Sequence, residues 1–236
     1  MSYYLGLSIL SNDRVTRKPQ FQNNFRLKNE HRPNLLGAEA RRILSGLADR
    51  PVADGDIARE GQGRPFFPDR GEDFSISHSG ALAAVSLVRG ANLRTGCDVE
   101  LVRERPGARA IAEEYFSASE KEFIFSHGRF HGTRFYRIWT LKECYLKLRG
   151  LSVFDMAMAP SFILDGDLAF DAPAASPLTF YLYELSGVHE RYVLATAVEG
   201  ALTEEPEIRW FSPAAEGSLA CKCTGKIIAS RILLPA

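Results

Sequence analysis

Residues 134–150, RFYRIWTLKECYLKLRG, repeat apolar side chains at the period of an α-helix with one buried face. Gly150 stands in the position of a helix C-cap, and the buried face comprises Ile138, Leu141, Tyr145 and Leu148. Glu143 and Lys147 are four residues apart on another face, one turn from Trp139, so their side chains are neighbours. Two interpretations stay open: an exposed ion pair worth roughly 0.2–0.5 kcal/mol, or a carboxylate and an ammonium that act on one small volume.

A second acidic group occurs upstream, in LRTGCDVELV. If this segment is a strand, Asp98 and Glu100 lie side by side on one face, and the apolar Cys97 and Val99 point to the other. Adjacent carboxylates repel unless solvent screens them or a cation bridges them, and oxygen ligands suit Mg²⁺ or Mn²⁺. The pair is therefore either a solvated strand end or part of a metal site. The second interpretation needs a third oxygen ligand, for which Glu143 is the candidate.

The composition argues against several classes of protein. The 236 residues can bury a sizeable core, in one large domain or two small ones. Lys+Arg and Asp+Glu both number 29, so we expect neither nucleic acid nor a membrane as a partner. No apolar run reaches the ~20 residues that span a bilayer, and the N-terminus lacks a signal-peptide pattern, so we expect a cytoplasmic protein. No C-x-x-C pair indicates a zinc site or a disulfide framework; the cysteines are Cys97, Cys144, Cys221 and Cys223.

The predicted helices and strands form two similar groups. The first contains a helix at 34–50 and strands at 3–10, 74–77, 81–88 and 93–102. The second contains helices at 110–116, 117–126 and 134–150 and strands at 161–170, 178–185 and 191–198. We therefore predict an α+β fold of two similar α/β halves, 1–103 and 104–236, each a small, mainly antiparallel sheet packed with helices. The acidic strand would end the first half, so a site in the cleft between the halves would collect three carboxylates.

Three basic groups could contact an anionic ligand. Residues 11–32 carry a positive excess that includes Arg17, and Arg64 lies in the Gly- and Pro-rich connector GQGRPFFP. His78 follows Ser77 in a predicted turn between two buried strands. Each has a structural alternative, which is a solvated loop for the arginines and donation to a backbone carbonyl for the histidine.

These segments together resemble the Sfp-type 4′-phosphopantetheinyl transferases. Residues 96–100 resemble the G-x-D-x-E motif of that family, and residues 139–147 resemble its W-x-x-K-E-x-x-x-K motif. Gly63-Arg64-Pro65 resembles the family's G-K-P, residues 74–79 its F-N-x-S-H-S, and residues 31–37 its helix-opening segment. Arg64 replaces the usual lysine, and Ser75 stands where asparagine is common. The ordered matches run from about residue 31 to 155.

The resemblance implies a pseudo-twofold monomer that binds coenzyme A in the cleft between its halves. It also implies a reaction. A serine hydroxyl of an acyl, polyketide or peptidyl carrier protein attacks the pyrophosphate of coenzyme A, the carrier gains the 4′-phosphopantetheine arm, and adenosine 3′,5′-bisphosphate leaves. Such carriers serve fatty acid synthesis or the biosynthesis of secondary metabolites, and the sequence does not distinguish them.

The resemblance also implies roles for individual residues. Mg²⁺, or Mn²⁺ in its place, would be held by Asp98, Glu100 and Glu143. Glu143 is alternatively the base for the serine proton, because a carboxylate bound to metal is a poor base. Lys147 would neutralise charge on the leaving group. Coenzyme A would be contacted by Arg17, Arg64, Ser77 and His78.

Two other functions are weighed against the Mg²⁺-dependent transferase. The first is a non-catalytic module of the same fold that binds coenzyme A or a carrier protein. The second is a scaffold whose charges are merely solvated. The binding module could lose an acid or Lys147 without penalty, whereas the sequence retains all three acids and this lysine.

Overall fold

The computed structural model describes residues 1–9, 35–68, 71–165, 167–171, 177–186, 190–202, 205–211 and 230–233. Its helices are α1 (Leu35–Leu47), α2 (Ala108–Tyr115), α3 (Ala118–Ile124) and α4 (Gly132–Arg149), with 3₁₀ turns at Asp54–Asp56, Ser126–Gly128 and Val153–Met158. Its strands are β1 (Ser2–Ile9), β2 (Ala58–Glu60), β3 (Arg64–Phe66), β4 (Glu72–Ser79), β5 (Leu82–Arg89), β6 (Arg94–Leu101), β7 (Ser161–Asp165), β8 (Asp167–Asp171), β9 (Leu178–Ser186), β10 (Arg191–Glu199), β11 (Glu207–Trp210) and β12 (Ser230–Leu233). Among these residues, no helix is both long and apolar enough to cross a membrane.

One helix ends, and another begins, at the capping residue that the sequence predicts. Helix α4 corresponds to the helix predicted at residues 134–150, and Gly150 caps it in the left-handed region with φ of 69°. The N-cap of α3 is Ser117, whose hydroxyl accepts the Glu120 N–H, while the Glu120 carboxylate accepts the Ser117 N–H. This is the capping box that the sequence predicts.

The strands confirm the predicted α+β class. They form two four-stranded sheets, with the orders β11-β1-β5-β4 and β12-β9-β10-β6, and two hairpins, β2-β3 and β7-β8. Paired strands are antiparallel except for β1 and β11, which run parallel.

The two sheets and two helices stack in four layers. Helix α1 covers the outer face of the first sheet, in a cluster that includes Ile43, Leu44, Leu47, Phe74 and Val85. The inner faces of the two sheets pack on each other through Tyr3, Leu5, Val99, Tyr181 and Leu194. Helix α4 covers the outer face of the second sheet through Ile138, Leu141, Leu148, Phe180 and Val193. The predicted apolar face of α4 therefore forms a core, and its opposite face is free to carry polar groups.

Each sheet also contains a strand from the other half of the sequence. Strand β6, predicted to close the first half, pairs with β10 in the second sheet, from Arg94↔Glu199 to Leu101↔Tyr192. Strand β11, near the C-terminus, pairs with β1 in the first sheet. Side-chain alternation indicates which face of a strand is covered but not which edge it joins. The division into halves after residue 103 stays a prediction, and each sheet contains strands from both sides of it.

The turn predicted at residues 77–80 is wrong. Strand β4 continues to Ser79, which pairs with Leu82, so the hairpin turns at Gly80 and Ala81. Gly80 adopts φ of 56°, which a two-residue hairpin turn requires and glycine permits. His78 is consequently a strand residue, on the face opposite to Ser77 and Ser79.

Gly96 explains how closely α4 approaches β6. A Cβ atom at this position would lie 2.3 Å from the Cys144 carbonyl oxygen and 2.8 Å from Leu148 Cβ. Any side chain would push the helix off the strand, so glycine is required before the two acids of β6.

We expect Gly96→Ala to lower the free energy of unfolding by about 2–3 kcal/mol, because overpacking a dense contact typically costs about 1–3 kcal/mol. Urea denaturation followed by far-UV circular dichroism measures this change. Gly132→Ala, in the first turn of the same helix, is the matched control, because a Cβ there meets nothing within 4 Å. Equal stability of the two variants would contradict the close approach.

Candidate active site

Helix α4 places Lys147 against the acidic strand β6. Lys147 Nζ lies 2.7 Å from Asp98 Oδ1 on β6 and 2.8 Å from Ser77 Oγ on β4. Burial opposes the charge of Lys147, but the neighbouring Asp98 outweighs it and raises the Lys147 pKa. The lysine is therefore a permanent cation that reaches across to the strand.

Asp98 has one oxygen engaged and one free. Its Oδ1 atom accepts from Lys147 and, at 2.8 Å, from the Ser77 hydroxyl. Its Oδ2 atom is buried and has no hydrogen-bond partner among the described residues. A buried carboxylate oxygen without a donor is costly, so this atom is suited to a cation or a donor supplied by a ligand.

Glu100 is held from two sides. Its Oε2 atom accepts the Ser79 hydroxyl at 3.0 Å, and its Oε1 atom accepts the Trp139 indole N–H at 3.1 Å. Arg105 lies 3.9 Å from Oε1. Burial, followed by repulsion from Asp98, raises the Glu100 pKa. Trp139 of the predicted motif thus orients a carboxylate on the opposite element.

Glu143 lies in the same electrostatic field. Burial and then repulsion from Asp98 raise its pKa to about 7, while Lys147 pulls the pKa down and Glu100 adds repulsion. A carboxylate that titrates near neutrality can accept a proton and release it again, as a general base must. The three predicted acids therefore influence one another electrostatically.

The raised pKa of Glu143 predicts a pH-dependent penalty on stability. A carboxyl whose pKa rises from 4.5 to about 7 on folding stabilises the fold below pH 4.5 and loses that contribution as pH rises through 7. In protein freed of metal with a chelator, Glu143→Gln should therefore raise the free energy of unfolding near pH 8 relative to wild type, by roughly 3 kcal/mol at most. The advantage should shrink to less than about 1 kcal/mol near pH 5.

Urea denaturation at the two pH values measures this difference. Glu113→Gln is the control, because Glu113 is a half-exposed acid in a surface ion pair with Arg109. A Glu143→Gln effect that does not change with pH would contradict the raised pKa.

The donor chemistry of the three acids fits a hard divalent cation, since all their ligand atoms are oxygens. The buried Oδ2 atom of Asp98 accepts no hydrogen bond from the described residues, so it is available to a cation. Among the described residues, no three acid, histidine or cysteine side chains converge on one point. Lys147 already contacts one Asp98 oxygen, and Ser79 and Trp139 contact both Glu100 oxygens. The acids fit the ion by chemistry, and their roles as ligands stay a prediction.

Arg64 is committed to the protein itself. The side chain is buried, with Nε donating to the Lys147 carbonyl at 3.0 Å and Nη1 to Glu60 at 3.2 Å. Nη2 donates to the Thr95 carbonyl at 3.1 Å and to Asp73. The guanidinium thus ties β3 to the C-terminal end of α4, and its contact with coenzyme A stays a prediction.

His78 and Arg17 are two further residues predicted to contact the coenzyme. The His78 side chain reaches solvent, but the protein partly desolvates its ring; this desolvation and then the nearby Lys147 lower its pKa, so it is neutral near pH 7 and can donate one hydrogen bond. Arg17 lies outside the described residues. Sequence analysis missed Ser79 and Asp73, although polar residues at every second position of β4, 73, 75, 77 and 79, were a visible signal.

Comparison with known proteins finds similarity to phosphopantetheinyl transferases. Residues 94–197 match the model of the 4′-phosphopantetheinyl transferase superfamily. The 4′-phosphopantetheinyl transferase AcpT of Escherichia coli is 35% identical over 102 residues, which are 42% of this chain and 51% of the relative. The 4′-phosphopantetheinyl transferase HetI of Nostoc sp. is 30% identical over 166 residues, 64% of this chain and 66% of HetI. A phosphopantetheinyl transferase of Thraustochytrium sp. is 28% identical over 209 residues, 79% of this chain and 71% of the relative.

The chain spans about half the length of the AcpT proteins that it matches. The matched family region contains both acids of β6, Glu143 and Lys147. It thus includes every charged residue of the contact between α4 and β6 described above.

Proposed function

Because the chain belongs to the 4′-phosphopantetheinyl transferase superfamily through residues 94–197, we propose that it transfers the 4′-phosphopantetheine arm of coenzyme A to a carrier protein. The acceptor is a serine hydroxyl of an acyl, polyketide or peptidyl carrier, and the other product is adenosine 3′,5′-bisphosphate. We propose that the enzyme acts as a cytoplasmic monomer. The observation that carries the proposal is the contact between α4 and β6, where Lys147 bonds to Asp98, and burial and the charges of Asp98 and Glu100 raise the pKa of Glu143.

The charges at this contact suit a phosphoryl transfer, in which catalysis consists mainly of positioning and charge neutralisation. Asp98 and Glu100 would hold Mg²⁺, or Mn²⁺, which when bound neutralises charge on the pyrophosphate; Glu143 is the third ligand or, alternatively, the base. Lys147 carries a raised pKa and a partly exposed side chain, so it can place a positive charge beside the leaving phosphate.

Glu143 supplies the proton acceptor in the leading version of the mechanism. The serine oxygen forms a bond to the phosphorus that carries the pantetheine arm, and the bond from that phosphorus to the bridging oxygen breaks. The serine proton passes to the Glu143 carboxylate, directly or through a water, and the electron pair leaves with adenosine 3′,5′-bisphosphate. The pKa of about 7 supports this role. Direct metal ligation by Glu143 is the alternative, because it would make the carboxylate a poor base.

The residues proposed to contact coenzyme A are Arg17, Arg64, Ser77 and His78. Among the last three, His78 has the most exposed side chain and is the natural donor to a phosphate of the nucleotide. Ser77 and Arg64 already bond within the protein, so their influence on the coenzyme would pass through Lys147 and Asp98.

Residues 116–125 lie between the acidic strand and the site helix in the sequence. Phe116 and Ile124 are buried in this fold, and Phe123 lies under Arg134, so the segment offers little apolar surface to a partner. The choice among fatty acid, polyketide and peptide carriers is best made by experiment.

The decisive experiment is the intact mass of apo carrier proteins from the three pathways after incubation with this protein, coenzyme A and Mg²⁺. A gain of one phosphopantetheine, absent with Glu143→Ala, is the expected result. No gain on any carrier, together with measurable binding of coenzyme A, would favour the non-catalytic module. Absence of both transfer and binding would favour the scaffold.

A further inference from the structure

The two sheets meet at a seam made by side chains. Strand β4 is the edge of the first sheet and β6 is the edge of the second, and β4 side chains accept the backbone N–H groups of β6. Four bonds of this kind follow one another along the strands: Thr95 N to Asp73 Oδ2 at 2.8 Å, Cys97 N to Ser75 Oγ at 3.0 Å, Val99 N to Ser77 Oγ at 3.2 Å, and Leu101 N to Ser79 Oγ at 3.0 Å. We call Ser75, Ser77 and Ser79 the serine ladder.

The ladder satisfies N–H groups of β6 that face away from its sheet neighbour β10. An edge strand otherwise leaves such donors to water or to a partner strand. Every second residue of β4 faces β6, and each of these residues carries a side-chain oxygen. The spacing therefore joins the two sheets without a continuous backbone ladder.

Two of the hydroxyls also act on the acids. A serine hydroxyl has one proton to donate, and its oxygen here already accepts a backbone N–H. Ser77 donates that proton to Asp98 Oδ1 at 2.8 Å, and Ser79 donates to Glu100 Oε2 at 3.0 Å. The Val99 N–H thus fixes the Ser77 hydroxyl, which orients Asp98. The Leu101 N–H fixes the Ser79 hydroxyl, which orients Glu100.

Ser75 provides an internal contrast. It makes the same seam bond, to Cys97 N, but the residue before Cys97 is Gly96, which has no side chain to orient. Comparison of Ser75 with Ser79 therefore separates the joining of the sheets from the orientation of a carboxylate.

We propose that Ser79 is a positioning residue, which acts through Glu100 and sets this carboxylate for binding a divalent cation. Trp139 contributes from the other side, because its indole N–H holds the second oxygen of Glu100. The carboxylate is then pre-oriented by one group from each of two elements, β4 and α4, so the metal site depends on the joint between the sheets. The proposal rests on the proposed function for the role of Glu100 as a metal ligand and for its effect on turnover.

The test measures binding of Mn²⁺ alone to the full chain by electron paramagnetic resonance, with no coenzyme A or carrier. We expect Ser79→Ala to weaken the Mn²⁺ affinity about 10–100-fold, the usual cost of losing a hydrogen bond to a metal ligand. Ser79→Thr keeps the hydroxyl and should restore the affinity to within about threefold of wild type. Ser75→Ala should also stay within about threefold, although it loses a seam bond.

Urea denaturation of the same variants tests the structural explanation. Ser75→Ala loses the bond from Cys97 N, and Ser79→Ala loses the bonds to Leu101 N and Glu100, so both alanine variants should be destabilised, Ser79→Ala somewhat more. Equal Mn²⁺ affinities for Ser75→Ala and Ser79→Ala, or no measurable binding by wild type, would overturn the proposal.

Turnover provides the link to the proposed function. Under saturating Mg²⁺, the Ser79→Ala defect in phosphopantetheine transfer should shrink, since the affinity for the ion is what the variant loses. Mn²⁺ binding that depends on Ser79, without transfer to any carrier, would support the positioning role and refute the transferase. Transfer by wild type, with a Mn²⁺ affinity that does not depend on Ser79, would support the transferase and refute the positioning role.

Discussion

Asp98→Asn should lower the rate of phosphopantetheine transfer at least about 100-fold while the protein stays folded. The substitution keeps the shape of the side chain and an oxygen that can accept from Lys147 and Ser77. It removes the negative charge that faces the cation site and the counter-charge of Lys147. Loss of one preorganised electrostatic group in an active site typically costs about 10²–10³-fold in rate.

The measurement is the rate of mass gain of an apo carrier under identical concentrations of coenzyme A and Mg²⁺. Circular dichroism and urea denaturation establish that the variant is folded. Glu113→Gln is the matched control, because it removes one carboxylate charge from an exposed pair and should leave the rate unchanged. More than about a tenth of the wild-type rate in Asp98→Asn would exclude Asp98 from the proposed machinery.

Lys147 gives an independent check on the same contact. If Asp98 and Lys147 act as a pair, the combined substitution Asp98→Asn with Lys147→Met should cost much less than the product of the two single effects. Groups that work as a unit are non-additive, whereas independent sites multiply their effects on rate.

The sequence predicts the individual elements of this site well, because each depends on local pattern. The period of α4, its Gly150 cap and the capping box at Ser117 all follow from residues within one or two turns. The placement of Asp98 and Glu100 on one face of β6 follows from strand alternation alone. Local rules of this kind need no knowledge of the rest of the fold.

The remaining features depend on long-range pairing, which a single sequence does not contain. Nothing in β6 indicates that its neighbours are β10 on one edge and the side chains of β4 on the other. Likewise, Arg64 has the chemistry of a phosphate ligand, yet its partners are Glu60, Asp73 and two backbone carbonyls of β6 and α4. The hydroxyls of the serine ladder are visible as an alternation, but their acceptors are known only from the fold.

Lys142 is the clearest case of a motif residue with a role that its position did not reveal. It precedes Glu143 in the sequence, yet it points away from the site into the C-terminal core and is 2% exposed. Its Nζ atom lies 3.1 Å from Glu120 Oε1 and 3.0 Å from the Pro160 carbonyl. The Glu120 carboxylate in turn accepts the Phe162 N–H at 2.9 Å. The pair therefore ties α4 to α3 and to β7.

Lys142→Met should lower the free energy of unfolding by about 3–5 kcal/mol, because it strands the buried Glu120 charge without a counter-ion. Burial lowers the pKa of Lys142 and the neighbouring Glu120 opposes that effect, as expected of two charges that depend on each other. Adding Glu120→Gln should recover part of the loss, since glutamine keeps an acceptor for the Phe162 N–H without a net charge. Urea denaturation of the two single variants and the double variant measures the coupling.

Arg109→Ala, which breaks an exposed pair with Glu113, should change stability by less than about 1 kcal/mol and serves as the control. A similarly small effect of Lys142→Met would mean that Glu120 binds a proton or water in the fold, and that the pair does not hold the helix. A large effect that Glu120→Gln relieves would assign this lysine to the support of α4. In that case Lys142 stabilises the packing of α4 in the core, and the neighbouring Glu143 belongs to the proposed active site.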